Sequence, residues 1–113
     1  MSTSLTYAIR FVTNMSDAVR FHVDELGLTL RFQSPEWTEF NTGPTTLALH
    51  IASEKNPAGT CQLGFGVADL AQFHATAVAH GIEFTSPPTN VHGQQIARFR
   101  DGDGAEYSVS QVR

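Results

Sequence analysis

The chain repeats itself, and the repeat limits the folds open to it. Around Val12 it reads VTNMSDAVRFHVDELGLTL, and around Val67 it reads VADLAQFHATAVAHGIEF. Each passage holds a strand end, a capping residue (Asn14 or Asp69), a helical stretch, a glycine stop (Gly27 or Gly81) and a new strand. The offset is about half of the 113 residues. One supersecondary unit is therefore used twice.

Asn14 and Asp69 can accept the free N–H groups of a first helical turn. Gly27 and Gly81 can take the left-handed conformation that ends a helix. The spacing predicts helix one over about 15–26, with Met15, Val19, His22 and Leu26 in line, and helix two over about 70–80, with Leu70, Phe73, Ala77 and Val78 on its buried side. Strands are expected at about 5–12, 28–34, 37–42 and 45–52, then at 61–67, 82–86, 94–100 and 105–111. Asn41-Thr42-Gly43-Pro44 reads as a hairpin turn, Pro87-Pro88 as a break, and the stretch around His92 as a loop.

The order is β-α-β-β-β, twice. Module one covers about 1–53, a polar linker about 54–60, and module two about 61–113, in a single domain. This is an α+β fold of two βαβββ modules. One helix covers one face of each sheet, and the other faces need a partner. Curling the open faces together gives a cup-shaped half-barrel whose interior is the natural ligand site.

Composition narrows the partners. The net charge is -4, and Arg98 and Arg100, the only close basic pair, are followed at once by Asp101 and Asp103. No basic stripe is available for phosphates, so no nucleic-acid partner is expected. No apolar run nears the roughly 20 residues that span a bilayer, so no membrane partner is expected. No signal peptide is visible, and Cys61, the only cysteine, has no partner for an internal disulfide; a cytoplasmic location is expected. Cys61 reads as a small strand residue, since no nearby base marks it as a catalytic thiol. P-loop, GxGxxG, GxSxG and CxxC motifs are absent.

Four stretches in order resemble one family: VTNMSDAVRFHVDELGL (12–28), WTEFNTGPTTLALH (37–50), LGFGVADL (63–70) and DGDGA (101–105). They are similar to the vicinal-oxygen-chelate superfamily, which includes glyoxalases, bleomycin-resistance proteins and extradiol dioxygenases. The resemblance covers nearly the whole chain and implies a homodimer. It also implies one of two uses of the cup: a divalent metal that chelates adjacent substrate oxygens, or ligand binding with no metal. In metal-dependent relatives, ligands stand five residues before the first motif valine, five before the second, and at the end of DPDGNxxE, sometimes with an acid on the fourth strand. Here those positions hold Tyr7, Gln62, Ser108 and, as the closest match, Ala48. None is a usual ligand for a divalent ion. Arg10, Gly102 and Ala105 also depart from the family pattern.

The resemblance thus points to a small-molecule binder with no cofactor; a bound divalent metal is the alternative. Tyr7, Trp37, Ala48, His50, Gln62 and Ser108 are the candidate ligand-binding residues. Trp37 would offer a stacking wall. Arg98 or Arg100 could pair with a ligand anion, depending on the parity of their strand. His50 and Glu106 are the candidate catalytic residues. Glu106 shares a face with Ser108, and reads either as a carboxylate at the rim of the cup or as a solvated charge at a strand start. His50 reads either as a base near neutral pH or as a half-buried strand histidine. His22, His74 and His80 lie on the expected helices and read as structural or exposed. Two enzyme alternatives stand beside the binder: a metal-dependent lyase, isomerase or dioxygenase with unusual ligands, and a metal-free acid/base enzyme using His50 or Glu106.

Overall fold

A computed structural model describes residues 2–112. The chain divides into two compact units, Thr6–Gln62 and the remainder. The first module runs β1 (Thr3–Val12), α1 (Met15–Arg20), β2 (Thr29–Gln33), β3 (Trp37–Asn41) and β4 (Thr46–Ile51). The second runs β5 (Cys61–Val67), α2 (Leu70–Ala79), β6 (Phe84–Val91), β7 (Gln94–Arg100) and β8 (Glu106–Gln111). The architecture is α+β, βαβββ twice. The first module contributes the strand run β2-β3-β4-β1 and the second the run β5-β8-β7-β6. In each, three antiparallel strands form a meander and the opening strand joins in parallel, β1 on β4 and β5 on β8.

The helix signals work as the residues suggest. Asn14 Oδ1 accepts from Asp17 N at 2.9 Å, and Asp69 Oδ1 accepts from Gln72 N at 3.1 Å. Gly27 and Gly81 have φ of 71° and 83°, the left-handed values that end a helix. The two cores are alike. Met15 and Val19 of α1 pack on Phe40 and Leu49 of the first sheet. Leu70 of α2 packs with Val67, Ala97 and Val109 of the second.

Four expectations need correction. The first helix widens into a π-helical turn at Phe21–Glu25, where Leu26 N–H reaches back to Phe21 O at 3.2 Å. The wider turn shifts the helical phase, so Val23 packs against the core and Leu26 is 54% exposed. In α2, Ala77 is buried but its neighbour Val78 is 52% exposed. On β2, Phe32 is 53% exposed. Pro87-Pro88 does not break the chain. Both prolines lie inside β6, an outer strand whose register shifts between Ser86 and Thr89, so their missing N–H groups leave no ladder bond unmade. The expected loop at His92 is a tight two-residue turn, with φ of 51° at His92 and 82° at Gly93, as a type I′ hairpin requires.

The core makes a direct prediction. Phe40 is fully buried, so Phe40→Ala should lower unfolding free energy by about 3–5 kcal/mol in denaturant titration. Phe32→Ala should change it by less than about 1 kcal/mol. Equal losses would contradict the packing described.

Candidate functional site

Strand side chains alternate, and α1 claims one set of them. On β3, Thr38 and Phe40 are buried toward α1, with the Thr38 hydroxyl 3.2 Å from Met15 Sδ. On β4, Leu47, Leu49 and Ile51 pack on the same side. The opposite face collects the other set: Tyr7, Ile9 and Phe11 of β1, Trp37 and Glu39 of β3, and Thr46, Ala48 and His50 of β4. Cross-strand register sets Phe11, His50 and Trp37 in one row and Ile9, Ala48 and Glu39 in the next.

Four rings line this face, with Phe11 buried and His50 exposed. Tyr7 meets Trp37 edge-on at 5.8 Å, Trp37 meets His50 at 6.0 Å, and His50 meets Phe11 at 5.6 Å. Such contacts contribute about 0.5–1.5 kcal/mol each beyond burial. His50 is exposed, and its Nδ1 lies 2.7 Å from Ile51 O. A carbonyl only accepts, so in the neutral ring Nδ1 carries the proton and Nε2 is left as an acceptor.

Glu39 organises the polar half of the face. Its Oε2 accepts from Trp37 Nε1–H at 2.8 Å and from the Tyr7 hydroxyl at 3.4 Å. Its Oε1 accepts from Arg31 Nη2 at 2.8 Å and Nε at 3.2 Å. Arg31 Nη2 also donates to Thr46 Oγ1 at 2.6 Å. The Glu39 side chain is 19% exposed. Sequence reasoning missed both Glu39 and Arg31. Alternation in WTEFN, with Phe40 in the core, could have put Glu39 beside Trp37. Arg31 had no such signal, because it lies at a register shift between Leu30 and Phe32.

Tyr7, at the position of the first family ligand, is held as a phenol. Burial raises its pKa above the usual value of 10.0, and the Glu39 charge and hydrogen bond raise it further, against a lowering by Arg31. Ala48, at the optional ligand position, is fully buried and offers only a methyl group. Gln62 is buried on β5, with 7% exposure, and carries a neutral amide.

In the second module α2 takes the odd-numbered residues of β5, β7 and β8. Phe65, Val67, Ala97, Phe99 and Val109 pack beneath it. Glu106, Ser108 and Ser110 therefore share the opposite face, as alternation implied. Ser108 stands opposite Gly64 on β5 and Arg98 on β7. Glu106 is half-buried, and its Oε2 accepts from the Thr85 hydroxyl at 2.5 Å. The preceding turn is built by Asp101. Its Oδ1 accepts from Asp103 N at 2.9 Å and Ala105 N at 3.0 Å, and its Oδ2 from the Tyr107 hydroxyl at 2.7 Å. The Tyr107 hydrogen bond, followed by that from Ala105, holds the Asp101 carboxyl below its usual range. Cys61 is exposed, with Arg10 Nη1 3.4 Å from its sulfur. His22 stacks on Phe40, and His74 meets Phe84 edge-on, both as packing residues.

The structure thus brings Tyr7, Trp37, Ala48 and His50 to one face of the first module, and Glu106 and Ser108 to the matching face of the second. The donor set at the four ligand positions does not fit a divalent ion: a phenol kept neutral, a methyl group, an amide and a hydroxyl. Among the described residues no group of three or more His, Cys, Asp or Glu side chains could hold one.

The glyoxalase/bleomycin resistance protein/dioxygenase superfamily matches residues 4–109. The chain belongs to this superfamily. Its fold is similar to that of the NAD-dependent benzaldehyde dehydrogenase of Legionella pneumophila (TM-score 0.78, 18% identity, 99% of this chain and 100% of that one). It is also similar to the methylmalonyl-CoA epimerase of Mycobacterium tuberculosis (0.76, 14%, 97% and 88%). A third similar structure is a 2,3-dioxygenase of Pseudomonas sp. KL28 (0.72, 11%, 96% and 42%). No curated protein matches the chain. Identities this low carry the fold and not the chemistry, and these neighbours are named for different reactions.

Tyr7 offers a test. Folding raises its pKa, so its contribution to stability is fully present below pH 10.0 and falls as pH rises through the folded-state value. Tyr107 is the only other tyrosine, so Tyr107→Phe isolates the signal. Phenolate absorbance should then titrate above the ordinary value, and Glu39→Gln should bring the midpoint down. A midpoint at or below the ordinary value would contradict the assignment.

Proposed function

We propose that this superfamily member binds a small organic molecule on the open face of its first module, without the divalent metal used by metal-dependent relatives. The observation that carries this reading is the Glu39 hub. It ties Tyr7 and Trp37 into a preset aromatic wall and occupies both of its own oxygens. A flat, largely apolar ligand would stack on Trp37 and Tyr7 and find a polar edge in His50 Nε2. Gln62 and Ser108 act on this reading as hydrogen-bonding side chains and not as metal ligands.

A second reading rests on His50. With Nδ1 fixed on Ile51 O, Nε2 is presented as a proton acceptor, which suits a metal-free acid/base enzyme. The Glu106 carboxylate, held by Thr85, is the other candidate base. Turnover of an identified substrate that survived both His50→Gln and Glu106→Gln would refute this reading. We also propose a homodimer built on the outer strand β2, whose residues are all exposed, Leu30 and Phe32 included.

Trp37 is the only tryptophan and reports on its own site. Phenylnaphthylamine, a neutral apolar fluorophore, should take up energy from Trp37 saturably, and a chelator should not change this. Tyr7→Ala should weaken binding by about 2- to 10-fold, from the loss of ~0.5–1.5 kcal/mol of ring contact. No saturable transfer, or transfer only after a metal is added, would overturn the proposal.

A further inference from the structure

Among the described residues, one arginine of the second module, Arg98, has no acceptor. On β7, Ala97 and Phe99 pack beneath α2, so Ile96, Arg98 and Arg100 share the other face. Arg98 is half-buried in mid-strand. Register sets it between two hydroxyl residues, Ser108 on β8 and Ser86 on β6. Directly opposed side chains in antiparallel strands are close neighbours, with Cβ atoms about 4.5–5.5 Å apart.

The other described arginines are all engaged. Arg10 donates to Gly59 O at 2.6 Å, Arg20 to Asp17, Arg31 to Glu39 at 2.8 Å, and Arg100 to Gly104 O at 3.0 Å. Arg98 has no side-chain hydrogen bond or ion pair among the described residues, and neither does the Ser108 hydroxyl. On the same face Glu106 stands opposite Arg100 and accepts from Thr85 at 2.5 Å.

A guanidinium partly withdrawn from water, with unmet donors, favours an acceptor. Flanking hydroxyls can add donors to that acceptor but cannot neutralise the charge. The planar fork of arginine fits the two oxygens of a carboxylate. One uncompensated positive charge matches one negative charge, and a chain of net charge -4 disfavours more highly charged anions.

We infer that Arg98, flanked by Ser86 and Ser108, is the carboxylate-binding point for a small organic acid. The site does not depend on the aromatic wall of the first module, and its test reads Arg98 itself. Benzoate is the probe, and benzamide, of similar shape and no charge, is the control. In nitrogen–proton correlation spectra benzoate should shift the Arg98 Nε–H and the amides of Ser86 and Ser108 saturably, and benzamide should leave them in place. Arg98→Gln should weaken benzoate binding at least ten-fold, and Arg98→Lys, which keeps the charge but loses the fork, by less. Ser108→Ala, a smaller change, should weaken it a few-fold with the spectrum otherwise preserved. Equal shifts from benzoate and benzamide, no shift from benzoate, or unchanged affinity in folded Arg98→Gln would overturn the assignment.

Discussion

One helix can cover only one face of a four-stranded sheet. In each module that helix buries the residues of a single parity, Phe40 and Leu49 under α1, Ala97 and Val109 under α2. The parity of every remaining strand residue is then fixed, because strand side chains alternate. Tyr7, Trp37, Glu39 and His50 reach the open face of the first module for this reason. Arg98, Glu106 and Ser108 reach the open face of the second in the same way. The functional reading is therefore a reading of residues left over after two small cores are satisfied.

On the first open face the polar residues serve a carboxylate. Glu39 accepts from an indole, a guanidinium and a phenol. A carboxylate this well supplied holds its donors in place, and it holds Tyr7 in the neutral form. On the proposed reading Tyr7 serves at its position as a hydrogen-bond donor and not as a metal ligand.

Much of this was legible in the sequence. The repeat gave the βαβββ order, and Asn14, Asp69, Gly27 and Gly81 marked both helices, because each residue type answers a local backbone need. Strands β5 and β7 fall at 61–67 and 94–100 as their patterns implied. The shared face of Glu106 and Ser108 followed from period two alone. What escaped depends on tertiary register. The π-helical turn at Phe21–Glu25 shifts the helix phase and exposes Leu26. Pro87-Pro88 survives inside β6 because that strand is outermost. Arg31 reaches Glu39 from an irregular stretch of β2, where spacing no longer predicts a face. Glu39 shows its role only through the three donors that the tertiary structure gathers around it.

Under the proposed function, the ligand positions of this superfamily member, held by Tyr7, Ala48, Gln62 and Ser108, bind no divalent metal. Elemental analysis of protein purified without any chelator tests this most directly. The account predicts divalent metal far below one equivalent per chain, and no gain after dialysis against zinc, manganese or iron followed by desalting. One tightly held equivalent, lost on Tyr7→Ala or Gln62→Ala, would contradict it.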